Sequence, residues 1–227
     1  MIPLKVLLGR NGFPAITILL IASNFAVFFH ELSLGPHTLA AFFFHYGLVP
    51  ARYALALAGH RIALERLVAP AFTSMFVHGG WLHILGNMWF LWVFGGAVED
   101  ALGPMDYLGF YLLCGLAAGI TQTFFSWGSS IPTIGASGAI SGVMGAYLVL
   151  YPRSKVLTLV PFFFIFFVRL QAIFMIGYWF LIQFASGVAS LAAPQAGGTA
   201  FWAHVGGFLL GAIVAVPARR RVAWYPS

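Results

Sequence analysis

A serine flanked by glycines and a distant histidine are the side chains of this sequence best suited to chemistry. Ser137 lies in the run Gly-Ala-Ser-Gly that begins at Gly135, at the start of a strongly apolar segment. His204 begins a second glycine-rich apolar segment near the end of the sequence. A serine hydroxyl becomes a nucleophile when a neighbouring base takes its proton, and histidine is the commonest such base. The pair therefore predicts nucleophilic catalysis, provided that the fold brings the two side chains together.

The composition is that of an integral membrane protein. Charged residues make up 7% of the 227 residues and hydrophobic residues 61%. Soluble domains contain about 25% charged residues. A helix needs about 20 mostly apolar residues to span a bilayer, so this length accommodates roughly six spans. We therefore predict an all-α polytopic membrane protein that forms a single domain over residues 1–227.

Six apolar segments are the candidate membrane spans that would position Ser137 and His204. They cover residues 14–32, 81–100, 106–126, 135–152, 170–188 and 200–217. Residues 33–80 form a long first connection, which carries Arg52, Arg61 and Arg66 beside many leucine, alanine and phenylalanine residues. Such a mixture is typical of a segment that lies in the membrane interface. For the apolar run 156–168, which Pro161 interrupts, we predict a membrane-dipping loop or the start of a helix.

Lysines and arginines determine the predicted orientation, because loops on the cytosolic side are rich in them. One side of a six-span bundle carries Lys5, Arg10, Arg153, Lys155 and the arginine run 219–221. The short loops 127–134 and 189–199 on the opposite side carry no lysine or arginine. We therefore predict a multi-pass protein of the cell membrane (plasma or inner) with both termini cytosolic and its site opening to the outer side.

The predicted topology brings four polar side chains to one side of the membrane. Spans two, four and six run in the same direction, so their starts lie on the same side. His83 and Asn87 open span two and share a helix face, because they are four residues apart. Ser137 opens span four and His204 opens span six. Polar groups within a membrane are costly and are functional candidates, so we predict that these four form one site.

Glycines in spans four and six predict close packing of these two helices. They occupy positions 138, 142 and 145 in span four and positions 206, 207 and 211 in span six. Small residues at such spacings allow helix backbones to approach closely. Close approach would bring His204 within hydrogen-bond reach of Ser137, which is the geometry that nucleophilic catalysis requires.

The predicted site is a dyad with oxyanion donors and no acidic member. Ser137 would attack a peptide carbonyl while His204 takes its proton and later passes it to the leaving amine. His83, Asn87 and the backbone N–H of Ser137 can donate hydrogen bonds to the oxyanion. The turn between spans two and three carries Glu99, Asp100 and Asp106, but it falls on the other side of the membrane. Nothing in the sequence brings Glu31, at the end of span one, near His204.

These motifs resemble the rhomboid family of intramembrane serine proteases. The matching stretches are His78–Asn87, Gly135–Gly142 and Ala203–Gly207, in an order and at span positions that fit the family. The run Gly-Leu-Val-Pro-Ala-Arg at 47–52 is similar to the family's first loop. The resemblance covers roughly residues 14–217 and implies a bundle of six transmembrane helices with a long interfacial first loop.

The resemblance implies roles for the residues of these motifs. Ser137 would be the nucleophile and His204 the general base. His83 and Asn87 would belong to the oxyanion site, which His78 and Gly135 would support; these assignments come from the motif stretches that match the family. The implied reaction uses no cofactor or metal, and the implied substrates are transmembrane segments of other proteins within the lipid bilayer.

The resemblance also implies that substrates enter laterally beside span five. Phe174, Trp179 and Phe180 are the candidates for a bulky gate there. Some family members carry a tyrosine four residues after the nucleophile, where it packs on the base. This sequence has Ser141 at that position, so the sequence does not identify the group that orients His204.

Other functions fit parts of the sequence less well. A catalytically inactive relative that binds transmembrane segments would need neither Ser137 nor His204. A haem or metal protein would use His78, His83 and His204, but a spacing of five does not place the first two on one helix face, and no acidic or cysteine ligand accompanies them. The net charge of +6 comes from residues scattered at span ends. Because no basic face with interleaved aromatic residues is present, nucleic acid is excluded as a partner.

Overall fold

The computed structural model describes residues 1–8, 12–161, 165–192 and 199–222. Within these ranges the protein is mostly helical, with one small sheet. The helices are α1 (Ala15–Leu32), α2 (Pro36–Tyr46), α3 (Pro50–Leu57), α4 (Glu65–Thr73), α5 (Trp81–Leu102), α6 (Pro104–Phe125), α7 (Ser137–Leu150), α8 (Ala172–Ser190) and α9 (Phe201–Ala215). The strands are β1 (Ile2–Val6), β2 (Lys155–Pro161) and β3 (Ile165–Gln171).

Each predicted span corresponds to one apolar helix, and no helix end differs from the predicted end by more than two residues. In the described part of the chain, four helices are long and apolar enough to cross a membrane, namely α1, α5, α6 and α8. Helices α7 and α9 are also apolar but contain 14 and 15 residues. An ordinary span needs about 20 residues, so these two are short for their proposed task.

Helix α7 lies at the centre of the core, where it packs against α5, α6 and α9. Its contact with α9 is made backbone to backbone. A Cβ atom on Gly207 would collide with the carbonyl oxygen of Gly138, and one on Gly211 would collide with the carbonyl oxygen of Gly142. The close approach of these helices, which the glycine spacing predicts, is therefore present, and it depends on the absence of side chains.

The start of α1 is held by a buried carboxylate from the end of α5. Glu99 accepts hydrogen bonds from the backbone N–H groups of Ile16 and Thr17, both at 2.9 Å, and from the Thr17 hydroxyl at 2.7 Å. The first N–H groups of a helix lack partners within the helix, and a negative charge is favourable there. Glu99 thus joins α1 to α5 and caps a helix.

The long first connection folds into α2, α3, α4 and a 3₁₀ turn, and it supports the segment that precedes Ser137. Leu48 and Thr133 exchange two backbone hydrogen bonds, at 3.0 and 2.8 Å. The N–H of Gly135 donates to the carbonyl oxygen of Ser74 at 2.8 Å. These bonds hold the backbone on both sides of residue 134 and thereby fix where α7 begins.

A three-stranded antiparallel sheet corrects the prediction of an all-α fold. Strand β2 lies between β1 and β3, and Val6 pairs with Val156. The membrane-dipping loop or helix start predicted for 156–168 is wrong, because these residues supply most of β2 and β3; 162–164 lie outside the described residues. A local apolar pattern does not distinguish a strand from a membrane segment when the pairing partner, here β1, is 150 residues away.

Candidate active site

The side chains of Ser137 and His204 meet at the start of two helices. The Oγ atom of Ser137, the first residue of α7, lies 2.7 Å from Nε2 of His204, which is in the first turn of α9. The backbone of Gly138, which follows Ser137, contacts that of Gly207, which lies three residues after His204, and this contact brings the two side chains together. His204 is buried, whereas Ser137 is half-buried and lines a cavity.

The second ring nitrogen of His204 has a partner that the sequence did not reveal. Nδ1 of His204 lies 2.6 Å from Oε1 of Gln183, which projects from α8. The ring of Trp179, also on α8, lies with its centroid 5.9 Å from that of His204. A glutamine within an otherwise apolar span was the available signal for Gln183, because polar groups in spans are functional candidates.

His83 and Asn87 converge on the backbone of Gly135, two residues before Ser137. A Cβ atom on Gly135 would lie 2.6 Å from Nε2 of His83 and 3.6 Å from Nδ2 of Asn87. Gly135 has a φ of +116°, a conformation that favours glycine. Among the described residues, the buried Nδ2 atom of Asn87 has no hydrogen-bond partner. These two nitrogen atoms therefore lie next to the backbone of Gly135, and both residues line the same cavity as Ser137.

The hydrogen bond to Nδ1 of His83 determines which nitrogen of that ring carries the proton. The N–H of Gly79 points to Nδ1 of His83 at 3.4 Å, so Nδ1 is the acceptor. A neutral imidazole then carries its proton on Nε2, the atom that faces Gly135. His83 Nε2 and Asn87 Nδ2 are consequently both donors directed at one place.

His78 lies behind His83 and outside the set of residues that line the cavity. Its ring centroid is 5.1 Å from that of His83, and its backbone N–H donates to Oε1 of the buried Glu31 at 3.1 Å. Burial, with a smaller effect of the neighbouring His83, lowers the pKa of His78 to about 4, so the ring is neutral at neutral pH. Glu31 thus supports the loop that carries His78 and is not the acid of a triad.

A cavity of about 770 Å³ lies over the serine, and residues from six helices line it. Ser137, His204, His83, Asn87 and Trp179 all contribute to its wall. The space is large enough for an extended peptide segment, since ligand pockets commonly measure about 300–1,000 Å³. In the described ranges, no three His, Cys, Asp or Glu side chains lie close enough together to hold a metal ion.

The three aromatic residues predicted as a gate occupy different environments on α8. Trp179 lines the cavity and contacts the site. Phe180 stacks on Phe208 of α9, with ring centroids 4.4 Å apart and an interplanar angle of 25°. Phe174 is 66% exposed and does not line the cavity. The structure therefore brings Trp179 to the site and leaves Phe174 away from it.

The comparison with known families agrees with this arrangement of helices and polar side chains. The sequence model of the Rhomboid domain matches residues 66–221, which is more than half of the chain. The chain belongs to the rhomboid family. The matched rhomboid region runs from the first turn of α4 to six residues beyond the end of α9 and contains every residue of the candidate site described above except Glu31.

Several rhomboid proteins are similar to this chain over part of their length. The presenilin-associated rhomboid-like protein of Bos taurus is 31% identical over 99 residues, which are 41% of this chain and 25% of that protein. Rhomboid protein 1 of Saccharomyces cerevisiae is 30% identical over 149 residues, which are 62% of this chain and 39% of that protein. RHOMBOID-like protein 6 of Arabidopsis thaliana is 34% identical over 100 residues, 41% of this chain and 32% of that protein. The chain therefore spans well under half the length of these relatives.

The names of these three relatives correct one prediction from the sequence. Each of them is described as mitochondrial. The predicted location in the cell membrane, with cytosolic termini, is therefore wrong. The charge pattern on which it depended distinguishes the two sides of a bilayer and carries no information about which organelle contains that bilayer.

Proposed function

We propose that this rhomboid protein is an intramembrane serine endopeptidase that hydrolyses peptide bonds in or near transmembrane segments of other membrane proteins. The observation that carries the proposal is the 2.7 Å separation of Ser137 Oγ and His204 Nε2 at the wall of a large cavity. A nucleophile needs a base within this distance. The family supports the proposal, because rhomboid proteins are generally intramembrane serine proteases.

In the first half of the proposed reaction, the Ser137 hydroxyl attacks a peptide carbonyl carbon and forms a C–O bond. Nε2 of His204 accepts the hydroxyl proton as the bond forms, and it then donates this proton to the leaving amine. The C–N bond breaks and leaves an ester on Ser137. In the second half, a water molecule attacks the ester while His204 again acts as base, and the carboxylic acid product and free Ser137 are released.

The oxyanion that forms in each half is stabilised by donors already in place. We assign this role to Nε2–H of His83, Nδ2–H of Asn87 and the backbone N–H of Ser137. The orientation of the two side chains towards Gly135 supports the assignment. Ser137 is the first residue of α7, and the first N–H groups of a helix lack partners within it, while the helix dipole favours negative charge there. Donors fixed before the reaction need no reorganisation in the transition state.

The proposed architecture is one domain over residues 1–227 with six membrane spans, formed by α1, α5, α6, α7, α8 and α9. The proposed partners are the lipid bilayer and transmembrane substrates, which enter beside α8. Trp179 and Phe180 form the gate because one lines the cavity and the other attaches α8 to α9. Phe174 has at most a peripheral part in that gate, since it lies on the exposed surface of α8.

Labelling with a serine-reactive fluorophosphonate tests the proposal. We expect the purified wild type to be labelled and to cleave a transmembrane peptide in liposomes, and we expect Ser137→Ala and His204→Ala to lose both activities. Thermal unfolding in detergent checks that the variants remain folded. Labelling that persists in Ser137→Ala would show that the nucleophile is another residue.

A catalytically inactive rhomboid-like protein that binds transmembrane segments is the alternative outcome of the same experiment. In that case the wild type binds the transmembrane peptide but is neither labelled nor able to cleave it. Ser137→Ala would then bind the peptide as tightly as the wild type does.

A further inference from the structure

The hydrogen bond between α8 and the candidate base shows how that base is oriented. Nδ1 of His204 lies 2.6 Å from Oε1 of Gln183. An amide oxygen only accepts hydrogen bonds, so Nδ1 must carry the proton that is donated to it. In a neutral imidazole, Nε2 is then unprotonated. This is the atom that faces the Ser137 hydroxyl at 2.7 Å, so the bond to Gln183 leaves the lone pair of His204 directed at the nucleophile.

We propose that Gln183 is the positioning residue of the site, which holds His204 in the tautomer and ring orientation that a base needs. This inference depends on the proposed serine endopeptidase function. Gln183 touches neither the nucleophile nor the reacting carbonyl, and it acts through His204. In effect the Ser137–His204 dyad becomes a chain of three groups whose third member is an uncharged amide.

The placement of Gln183 on α8 supports this role. Trp179 precedes it by four residues, so the two side chains share a helix face. The Trp179 ring lies beside the ring of His204 at 5.9 Å between centroids. One face of α8 thus presents to His204 a hydrogen-bond acceptor for Nδ1 and an aromatic surface that restricts rotation of the imidazole.

Ser141, four residues after Ser137, makes a hydrogen bond that does not involve His204. The hydroxyl of Ser141 donates to the backbone carbonyl oxygen of Ser137 at 2.6 Å. Its single proton is used in that bond, and a serine side chain has no ring that can pack against an imidazole. Within the described residues, the hydrogen bonds and the ring contact that the His204 ring makes with other elements are those to Ser137 on α7 and to Gln183 and Trp179 on α8.

Two substitutions at Gln183 separate positioning from a purely structural role. Gln183→Glu keeps an oxygen acceptor at the same distance from the backbone, and Gln183→Met keeps the length but removes the acceptor. We expect Gln183→Glu to retain kcat within about fivefold and Gln183→Met to lower kcat about 10- to 100-fold, with KM nearly unchanged in both. The loss is smaller than the roughly 10⁴-fold loss that follows when an orienting group forces the wrong tautomer, because methionine imposes no tautomer.

A purely structural role predicts the reverse order. An apolar methionine is well tolerated in a membrane helix, whereas a carboxyl group there is costly. Higher activity of Gln183→Met than of Gln183→Glu would therefore overturn the inference. Tyr178→Phe is the matched control on α8, because Tyr178 is 51% exposed and lies outside the cavity lining. It should leave kcat unchanged.

The tautomer can also be measured in the wild type, which avoids any dependence on the folding of a variant. We expect the ¹⁵N NMR signals of His204, assigned by their loss in His204→Ala, to show a protonated Nδ1 and an unprotonated Nε2. A protonated Nε2 in the resting protein would overturn the inference. Failure of the wild type to be labelled or to cleave would instead contradict the proposed function, so the two failures are distinguishable.

Discussion

Helices α7 and α8 both contribute to the candidate site, but they are held in the molecule in different ways. Eleven of the 14 residues of α7 are buried, against four of the 19 residues of α8. Helix α7 contacts α9 backbone to backbone through Gly138 and Gly142. Helix α8 contacts α9 through side chains, including the stacked rings of Phe180 and Phe208.

This difference separates two tasks. The distance between Ser137 and His204 depends on helices that cannot shift without a backbone collision. The orientation of His204 and the access to the cavity depend on α8, whose side-chain contacts can be remade as it moves. We therefore expect changes in the buried helices α5, α7 and α9 to affect the chemical step or the stability. Changes in α8 should affect the orientation of His204 where they alter Gln183, and the approach of the substrate elsewhere.

Among the substitutions that test this difference between the helices, Asn87→Ala on α5 is expected to have the largest effect. Asn87→Ala should lower kcat about 10²- to 10³-fold, because removal of one oxyanion donor costs about 2.7–4 kcal/mol in the transition state. KM should change little, since this donor acts chiefly on the transition state. Steady-state cleavage of a transmembrane peptide in liposomes measures both constants. A higher KM with an unchanged kcat would remove Asn87 from the oxyanion site.

The next effect tests the contact between α7 and α9. Gly211→Ala would place a methyl group against the backbone of Gly142, and overpacking of this kind typically costs about 1–3 kcal/mol of stability. Thermal or denaturant unfolding in detergent should show the loss. Gly177→Ala on α8 is the matched control, because a Cβ atom there would meet nothing within 4 Å. Equal losses of stability for Gly211→Ala and Gly177→Ala would show that α7 and α8 do not differ in how tightly they are packed.

The smallest effect concerns the attachment of α8 to α9. Phe180→Ala removes a stacked aromatic pair, worth about 0.5–1.5 kcal/mol. If α8 must leave α9 to admit a substrate, the open state becomes about two- to tenfold more populated, and kcat/KM rises by at most that factor. Phe174→Ala, at an exposed site on the same helix, should change kcat/KM less than Phe180→Ala. A fall in kcat/KM for Phe180→Ala would show that α8 does not limit access.

Much of the candidate site could be predicted because its residues begin their helices. The apolar segments predict where α5, α7 and α9 start, and His83, Ser137 and His204 lie in the first turn of each. Alternating direction of the spans then places these starts on one side. The glycine spacing further predicts that α7 and α9 lie close together, because this spacing can be read from the local sequence of each helix.

The remaining features depend on contacts that no local pattern records. Gln183 lies 21 residues before His204 and in the middle of an apolar helix, and nothing in the sequence indicates which helix it faces. Glu31 lies 47 residues from its partner His78. Strand β2 has the apolarity of a membrane segment and becomes a strand because β1 pairs with it. Each of these requires the tertiary arrangement to be known first.

The sheet also limits how the chain can be threaded through a bilayer. Strands β1 and β2 are hydrogen-bonded neighbours, so both lie on the same side of the membrane, and the chain between them crosses an even number of times. Of the helices in that interval, α1, α5 and α6 are long enough to cross, and three crossings would separate the strands. If all three cross, an even count requires a fourth crossing, which the 14-residue α7 would supply in the proposed six-span arrangement.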